Sequence, residues 1–268
     1  MNYLCPICGE ELYLKEKSYI CCNNHCFDRA KSGYVNLIPP NKKNSSQPGD
    51  NKEMIQARLD VMDHNYYLPL ANKIIEIIGN NAKSILDAGC GTGFILDRIA
   101  NTNSKIQAYG TDISKFAIDA ASKRYKKCNF SVASSLRLPF KDGSFDVVIC
   151  TFAPVYNEEF ARVLKKDGLL IRVVPAENHL MVLKKTLYET PTPNEMEAKE
   201  IQGFDFISDE VVKSMFSCQK ETGYNLVKMT PYFYHAPKEN IEKILQNESF
   251  ETNTEFEVRI YKKTNCTL

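Results

Sequence analysis

The feature that most restricts how this chain of 268 residues can fold is a glycine-rich turn between a short apolar strand and an apolar-periodic helix. In the segment KSILDAGCGTGFILDRIA (83–100) the strand reaches Asp87, and the chain then turns through Gly89, Gly91 and Gly93. Because glycine has no side chain, a ligand can lie directly against the backbone at the carboxyl end of the strand. The turn therefore predicts a ligand site at the edge of a sheet.

The sequence after the turn repeats the alternation of strand and helix, which indicates an α/β fold. This alternation predicts a doubly wound, mostly parallel sheet whose ligand lies across the strand ends. Asp112 ends the second strand about twenty residues after the glycines, where a carboxylate can bind the two hydroxyls of a ribose. The further strands are predicted within IQAYGTDIS (106–114), NFSVASSLRLPF (129–140), SFDVVICTFAP (144–154) and GLLIRVVP (168–175).

A pair of helices is predicted before this sheet, in NKEMIQARLDVMDHNYYLPLANKIIEIIGN (51–80). The apolar residues have helical spacing, which breaks near residues 64–65 and resumes over 68–78. Asp50 or Asn51 can cap the first of the two helices.

The first 26 residues hold five of the ten cysteines of the chain. Their pattern is a C-x2-C pair, 12 further residues and a C-x3-H pair, a spacing that can close a tetrahedral zinc site. Four ligands leave no open position, so the metal is expected to be structural, and so short a segment needs it in order to fold. The less favoured alternative is a set of buried apolar thiols. The preferred ligands are Cys5, Cys8, Cys21 and His25, with Cys22 and Cys26 as substitutes in the second pair.

Hydropathy and charge indicate the cellular compartment of the protein and limit the kinds of partner that it can bind. No apolar run approaches the roughly 18 residues of a membrane span, and no charged, apolar, cleavable leader is present. We therefore expect a cytoplasmic protein that makes no membrane contact, in which cysteines serve metal binding or packing rather than disulfides. The net charge is +1, so any attraction to nucleic acid has to come from local basic patches.

The spacing of the glycines separates two classes of cofactor. A dinucleotide fold usually has G-x-G-x-x-G, whereas here G-x-G-x-G follows an acidic residue, which suits a ligand with an ammonium group and no phosphate. The string LDAGCGTG (86–93) resembles the first motif of class I S-adenosylmethionine methyltransferases. In that resemblance Asp87 orders the turn near the methionine end of the cofactor, and Asp112 takes the ribose. The other cofactor contacts that it implies are Gly89, Gly91, Thr92, Gly93, Ile113, Ser134, Ser135 and Leu136, the last three around the adenine.

The whole chain is similar to the 23S ribosomal RNA guanine-N1 methyltransferases that carry an N-terminal zinc domain. The likeness runs through CPICGEEL, SYIC, HCFDRAKSGYVNL, PGDNKEMIQAR, YYLPL, ASSLRLPF, FAP, NHLMVLK and MTPYFYHA. It implies zinc held by Cys5, Cys8, Cys21 and His25, and cofactor contacts from Tyr67 and His179.

This resemblance also fixes the order of the expected domains. Residues 1–38 form a zinc-binding module for RNA recognition, and the IPPNKKNSSQPGDN composition marks 39–50 as a linker. Residues 51–268 form the S-adenosylmethionine-dependent methyltransferase domain, beginning with the helical pair. Within it, residues 189–268 are interpreted as the end of the sheet, with the closing strand TEFEVRIYKK, and its covering loops.

The zinc module combines basic and aromatic side chains in a way that suits folded RNA, because basic groups meet phosphates and aromatic faces stack on unpaired bases. The resemblance makes a hairpin loop of 23S ribosomal RNA the expected partner, and a homodimer is left as an open alternative. In the module the expected RNA contacts are Lys15, Lys17, Arg29, Lys31 and Tyr34, beside Tyr13, Tyr19 and Phe27, with Lys42 and Lys43 just beyond. In the methyltransferase domain, Phe152 and Pro154 are expected to shape the pocket for the target base.

The residues that follow the fourth strand of the domain offer no general base. CTFAP stands where many base methyltransferases have Asn or Asp followed by Pro-Pro-aromatic, so positioning is expected to dominate the chemistry, with water receiving the proton. Two other functions remain open at this point. One is methyl transfer to a small molecule such as a quinone, because LPFKDGSFDVV resembles a segment found in methyltransferases of that kind. The fold alone does not identify the acceptor. The other is a non-enzymatic RNA-binding protein.

Overall fold

The computed structural model describes residues 2–39, 49–246 and 248–264. Within these ranges the chain forms a small antiparallel sheet and a large sheet flanked by helices. Most of the expected linker, residues 40–48, lies outside the described residues, and so do Lys42 and Lys43.

The order of the strands in the large sheet gives the fold its class. The strands are β1 (Tyr13–Lys15), β2 (Ser18–Ile20), β3 (Cys26–Asp28), β4 (Val35–Asn36), β5 (Ser84–Ala88), β6 (Gln107–Asp112), β7 (Asn129–Val132), β8 (Phe145–Thr151), β9 (Leu164–Pro175), β10 (Phe204–Gln219) and β11 (Ser249–Lys263). The small sheet has the order β1-β2-β3, and the large sheet has the order β10-β11-β9-β8-β5-β6-β7-β4. All pairings from β4 to β9 in the large sheet are parallel, and β11 runs antiparallel to both of its neighbours. The predicted doubly wound, mostly parallel sheet is confirmed.

Helices cover both faces of this sheet. They are α1 (Lys52–Asp63), α2 (Leu68–Ile78), α3 (Phe94–Thr102), α4 (Lys115–Arg124), α5 (Asn157–Val163), α6 (Met181–Leu187), α7 (Lys220–Lys228), α8 (Tyr232–His235) and α9 (Lys238–Lys243), followed by a 3-10 turn at Ile244–Gln246. The helical pair lies where the sequence predicts it, and the cap of α1 is Asn51, whose side chain accepts from the Met54 amide at 2.9 Å. No helix of the described ranges is long and apolar enough to cross a membrane.

The central strands of the sheet are buried on both faces, as is usual for parallel strands covered by helices. All five residues of β5 are buried. Ile85 belongs to the core on one face of the sheet, and Leu86 and Ala88 belong to the core on the other. This burial holds the carboxyl ends of β5 and β6, where the glycine turn and Asp112 lie, in fixed positions.

The zinc module is joined to the large sheet rather than tethered beside it. Its last strand, β4, pairs in parallel with β7 and extends the sheet by one strand. The ring of Tyr3 lies 6.1 Å from the ring of Tyr109 and 5.5 Å from that of Phe140, and the Ser32 hydroxyl donates to Asp119 of α4 at 2.7 Å. Aromatic packing of this kind buries much apolar area, so the two parts of the chain share a core.

The C-terminal region is more regular than the expected covering loops. β10 is a 16-residue edge strand, paired with β11 along its whole length, and α7, α8 and α9 follow it before β11. The closing strand TEFEVRIYKK lies within β11, as predicted, whereas β10 and the helices α7, α8 and α9 occupy places where covering loops were expected. Strand β10 was missed because most of its residues are exposed. An exposed strand has no alternation of apolar and polar residues from which it can be predicted.

Candidate cofactor site and metal centre

The glycine turn and Asp112 form one hydrogen-bonded unit at the edge of the sheet. The amides of Gly89 and Cys90 both donate to the carbonyl of Thr111, at 2.8 and 3.0 Å. The Gly91 amide donates to one carboxylate oxygen of Asp112 at 2.9 Å, and the Ser114 amide donates to the other at 2.7 Å. The turn therefore holds the Asp112 carboxylate in one orientation at the ends of β5 and β6.

Two glycines of the turn keep space for a ligand and for a neighbouring loop. Gly91 has φ +53°, and a Cβ placed on it would meet no atom within 4 Å, so the turn faces open space there. Gly89 has φ +87°, and a Cβ on it would lie 2.7 Å from the Cβ of Ala153. Glycine at position 89 thus lets the Phe152–Pro154 loop approach the glycine turn. The turn and Asp112, at the carboxyl ends of β5 and β6, are called the cofactor edge below.

Asp87 is a buried carboxylate without a full set of partners. Its side chain is 2% exposed, and Oδ1 has no hydrogen-bond partner among the described residues. Burial and, to a smaller extent, the charge of Asp112 raise the pKa of Asp87 to about 7. A buried carboxylate that lacks a partner favours a cationic ligand, because the ligand charge offsets the cost of burial.

Replacing Asp87 with asparagine is expected to raise the free energy of unfolding of the ligand-free protein more at pH 8 than at pH 5. The folded-state pKa of about 7 lies above the ordinary value of 3.8, so the folded chain holds this proton more tightly than the unfolded chain does. The stabilisation from Asp87 is therefore complete below pH 4 and is lost as the pH rises to about 7. A shift of three pKa units corresponds to about 4 kcal/mol.

Urea denaturation of the wild type and of Asp87→Asn at both pH values measures this effect. The difference between the two proteins should grow by about 2 to 3 kcal/mol from pH 5 to pH 8, since about two of the three pKa units lie in that interval. Asp142→Asn, at a carboxylate whose side chain is 80% exposed, is the control. A difference for Asp87→Asn that does not change with pH would contradict the assignment.

The residues expected around an adenine follow β7, next to Asp112. The Ala133 amide donates to the carbonyl of Asp112 at 3.0 Å, and this bond places the start of the segment beside the ribose position. Ser134 and Ser135 are half-buried, and Leu136 is 66% exposed. Ile113, on the other side of Asp112, is 41% exposed. Both apolar side chains are thus free to cover a flat ring.

Tyr67, His179 and Phe152, far apart in the sequence, meet around Phe256 of β11. The ring of Phe256 lies 5.2 Å from that of Tyr67, 4.8 Å from that of His179 and 5.6 Å from that of Phe152. Tyr67 and His179 are buried, whereas Phe152 is 43% exposed and has a left-handed backbone with φ +53°. Sequence reasoning missed Phe256, because a strand residue gives no local signal for such a contact.

His179 is neutral and has a defined tautomer. Its Nδ1 accepts a hydrogen bond from the Glu255 amide at 3.2 Å, so the proton of the neutral ring lies on Nε2. Burial lowers the pKa of His179 to about 4. At neutral pH the side chain is therefore a hydrogen-bond donor and a weak proton acceptor.

The metal centre lies in the zinc module. Cys5, Cys8, Cys21 and His25 each offer a ligand atom, and these atoms lie within 4.8 Å of one another. The Cys21 sulfur is 3.4 Å from Nδ1 of His25 and 3.7 Å from the Cys8 sulfur. Ligand atoms at roughly 2.0 to 2.3 Å from a tetrahedral zinc have separations of this size. The donor set fits zinc, and Cys22 and Cys26 are exposed outside the cluster.

The side chains expected to contact RNA divide into exposed and buried sets. Tyr34 is only 5% exposed and belongs to the main hydrophobic core, so its ring is not available for stacking and the expectation is corrected on this point. Tyr13, also in the expected set, is 51% exposed, and Tyr19 and Phe27 are half-buried. The exposed residues from the expected set are Lys15, Lys17, Arg29, Lys31 and Pro154, together with Phe152.

Comparisons with known proteins agree with both parts of the chain. The family described as "RlmA, N-terminal", a zinc ribbon, matches residues 3–46, and the family described as "Methyltransferase domain" matches residues 80–248. A chain in the complex between the Haloferax volcanii Trm112 methyltransferase activator and a provisionally named methyltransferase has the same fold. It has a TM-score of 0.51 and 16% identity, and the match covers 80% of the present chain and 96% of that one.

Two curated relatives match over nearly the whole length. The first is a Bacillus subtilis protein provisionally named 23S rRNA (guanine-N(1)-)-methyltransferase YxjB, which is 31% identical over 97% of both chains. The second is the 23S rRNA (guanine(748)-N(1))-methyltransferase of Streptomyces fradiae, which is 26% identical over 91% of this chain and 90% of the relative. These matches confirm the resemblance that the sequence strings indicate.

Proposed function

This chain belongs to the 23S rRNA (guanine-N1)-methyltransferase family, and on that premise we propose that it transfers the methyl group of S-adenosylmethionine to N1 of a guanine in a hairpin loop of 23S ribosomal RNA. The observation that carries the proposal is the union, in one chain, of the zinc ribbon and the methyltransferase domain, packed on a shared sheet. A small acceptor would require no second module of this kind. Cytoplasmic localisation is part of the proposal because ribosomal RNA is found there.

The residues at the edge of the sheet fit S-adenosylmethionine. The orphaned oxygen of Asp87 suits the ammonium group of the methionine part, and the open space at Gly91 admits a ligand against the backbone. Asp112, oriented by the turn, suits the ribose hydroxyls. When bound, the cofactor supplies a methyl group on a positively charged sulfur. The proposed contacts are Tyr67, Asp87, Gly89, Gly91, Thr92, Gly93, Asp112, Ile113, Ser134, Ser135, Leu136 and His179.

The Phe152–Pro154 loop is proposed to hold the target guanine. The left-handed backbone of Phe152 is fixed by its amide, which donates to the carbonyl of Val173 at 3.1 Å, and its ring remains 43% exposed. The contact between Gly89 and Ala153 keeps the loop beside the cofactor edge. A base that leaves its stack can therefore lie on the Phe152 ring close to the methyl donor.

Removal of the N1 proton is proposed to need no side-chain base. Of the titratable groups described around Phe152, His179 is the one in ring contact, at 6.1 Å, and burial lowers its pKa to about 4. A neutral ring of so low a pKa accepts a proton poorly at neutral pH. Positioning of base and donor, worth about 7 kcal/mol or more, then supplies most of the rate, and water takes the proton.

The exposed face of the zinc module is proposed to bind the stem and loop of the RNA. Its basic side chains suit phosphates, and Tyr13 presents a ring to an unpaired base. Because β4 extends the large sheet, this face keeps a fixed position relative to the cofactor edge. A homodimer remains an alternative that light scattering of the purified protein decides.

Transfer of labelled methyl groups tests the proposal and the role of Phe152 together. The wild type is expected to label protein-free 23S ribosomal RNA and to leave a demethylated quinone unlabelled. Phe152→Ala is expected to lower kcat/KM for RNA about 5- to 150-fold, since a base stacked on an aromatic ring contributes about 1 to 3 kcal/mol.

The matched control is Phe206→Ala, because Phe206 lies on β10 and is 41% exposed, almost as much as Phe152. Its kcat/KM should stay within twofold of the wild type, as a rough bound. Label found on the quinone alone would reject the proposed substrate. Equal losses in the two variants would remove Phe152 from the base pocket.

A further inference from the structure

An arginine–aspartate pair lies beside the cofactor edge, and the function proposed above leaves it without a role. Arg58 of α1 donates through Nε to the carboxylate of Asp50 at 2.6 Å. The two side chains are 29% and 27% exposed, so the pair is partly buried and still reachable by a ligand. Both residues belong to the string PGDNKEMIQAR (48–58).

Backbone and side-chain contacts connect this pair to the ribose side of the site. The Ser114 hydroxyl donates to the carbonyl of Asp50 at 2.8 Å, and the Ser114 amide donates to the Asp112 carboxylate at 2.7 Å. A Cβ on Gly49 would lie 3.0 Å from the Cβ of Ser114, so glycine allows the chain to pass this close. The segment that carries Asp50 is thus fastened to the loop after β6.

The charge of Arg58 acts on two residues of the proposed cofactor site. Burial raises the pKa of Asp112, and Arg58 is among the groups that oppose this effect. Burial likewise raises the pKa of Tyr67 to about 12, against an opposing effect of Arg58. The hydrogen bonds agree with this for Asp112, because Asp50, the partner of Arg58, accepts from the Ser114 hydroxyl and the Ser114 amide donates to Asp112.

The proposed contacts leave one charged group of the cofactor without a counter-charge. Asp87 suits the ammonium group and Asp112 the ribose, but none of the contacts is a cation that could meet the methionine carboxylate. Arg58 uses Nε for Asp50, and its two terminal nitrogens make no hydrogen bond to residues 2–39, 49–246 or 248–264. A guanidinium with free terminal nitrogens can bind a carboxylate through two parallel hydrogen bonds.

We propose that Arg58, held in place by Asp50, binds the carboxylate of the methionine part of S-adenosylmethionine. This inference rests on the proposed function, because it assumes that cofactor. Asp50 acts as a positioning residue, since it fixes the guanidinium through Nε and leaves the terminal nitrogens for the ligand. The string around Asp50 and Arg58 thereby gains a binding role in addition to capping and packing α1.

Titration calorimetry with two ligands tests the proposal. The ligands are S-adenosylmethionine and its decarboxylated form, which keeps the sulfonium, the ammonium group, the ribose and the adenine. Arg58→Gln is expected to weaken binding of S-adenosylmethionine about tenfold or more, because it removes a charged hydrogen-bond partner. Binding of the decarboxylated ligand should change by less than about twofold, because that ligand has no carboxylate for the guanidinium to bind.

Two further variants separate a binding role from a structural one. Arg58→Lys keeps the positive charge but loses the planar guanidinium that can form two parallel hydrogen bonds, so it should bind S-adenosylmethionine with intermediate affinity. Arg124→Gln removes another partly exposed arginine, paired with Asp63, and should leave both affinities unchanged.

Each outcome of the calorimetry decides a separate point. Equal losses for the two ligands in Arg58→Gln, or no loss for either, would overturn the assignment of Arg58. Failure of the wild type to bind S-adenosylmethionine would instead overturn the proposed function itself.

Discussion

Cys21→Ser is expected to lose the zinc ion and, with it, the methylation of ribosomal RNA. Cys21 is buried, and its sulfur contacts both Nδ1 of His25 and the sulfur of Cys8, so serine at this position removes one corner of the tetrahedron. Zinc binding in such small modules is worth about 10 kcal/mol or more, a large part of what keeps them folded. The basic face of the module should therefore disappear together with the metal.

Affinity for S-adenosylmethionine should fall far less in the same variant. The bonds that hold the cofactor edge run among Thr111, Asp112 and the glycine turn, and none of them involves a zinc ligand. Thermal unfolding should nevertheless begin at a lower temperature, because the contact of Tyr3 with Tyr109 and Phe140 would be lost.

Metal analysis, calorimetry and transfer of labelled methyl groups measure these three effects. Cys26→Ser is the control, because Cys26 is an exposed cysteine of the same module outside the cluster. It should keep one zinc per chain and full activity. A Cys21→Ser protein that retains its zinc would refute the assigned ligand set.

Asp112→Ala is expected to weaken binding of S-adenosylmethionine about 12- to 150-fold, the equivalent of the 1.5 to 3 kcal/mol that a charged hydrogen-bond partner contributes. The carboxylate has two tasks, since it accepts from the Gly91 amide and, in the proposal, from the ribose hydroxyls. Alanine removes both, so the turn loses its anchor as well.

Asp112→Asn separates the two tasks of Asp112. It keeps one oxygen as an acceptor and loses the charge, so its affinity should lie between those of the wild type and the alanine variant. Calorimetry that gives the same affinity for all three proteins would remove Asp112 from the site. Tighter binding of NAD than of S-adenosylmethionine would reject the whole class of cofactor.

The cofactor edge could be predicted from sequence because its signals are local. Asp87 and Asp112 lie at the carboxyl ends of β5 and β6, the three glycines follow β5, and both strands are largely buried in the sheet. Parallel strands bring their carboxyl ends to one edge, so the order of the elements was enough to place these residues together.

Contacts between distant segments could not be predicted in this way. Phe256 joins Tyr67, His179 and Phe152 only because β11 inserts between β9 and β10. Tyr34 was expected on the RNA surface, but an aromatic ring next to basic residues fits a small core equally well, and the structure buries it. Burial of this kind depends on tertiary packing, which residue type and spacing do not specify.

The position of the methyl group on the RNA tests the proposed function most directly. Protein-free 23S ribosomal RNA is incubated with the protein and labelled S-adenosylmethionine, and the modified nucleotide is located by primer extension and identified by mass spectrometry. We expect 1-methylguanine at a single guanine of a hairpin loop, with the primer stopping one nucleotide before it, because a methyl group on N1 blocks Watson–Crick pairing. A methyl group on another atom of guanine, on adenine or cytosine, or only in a small-molecule fraction would contradict the assignment.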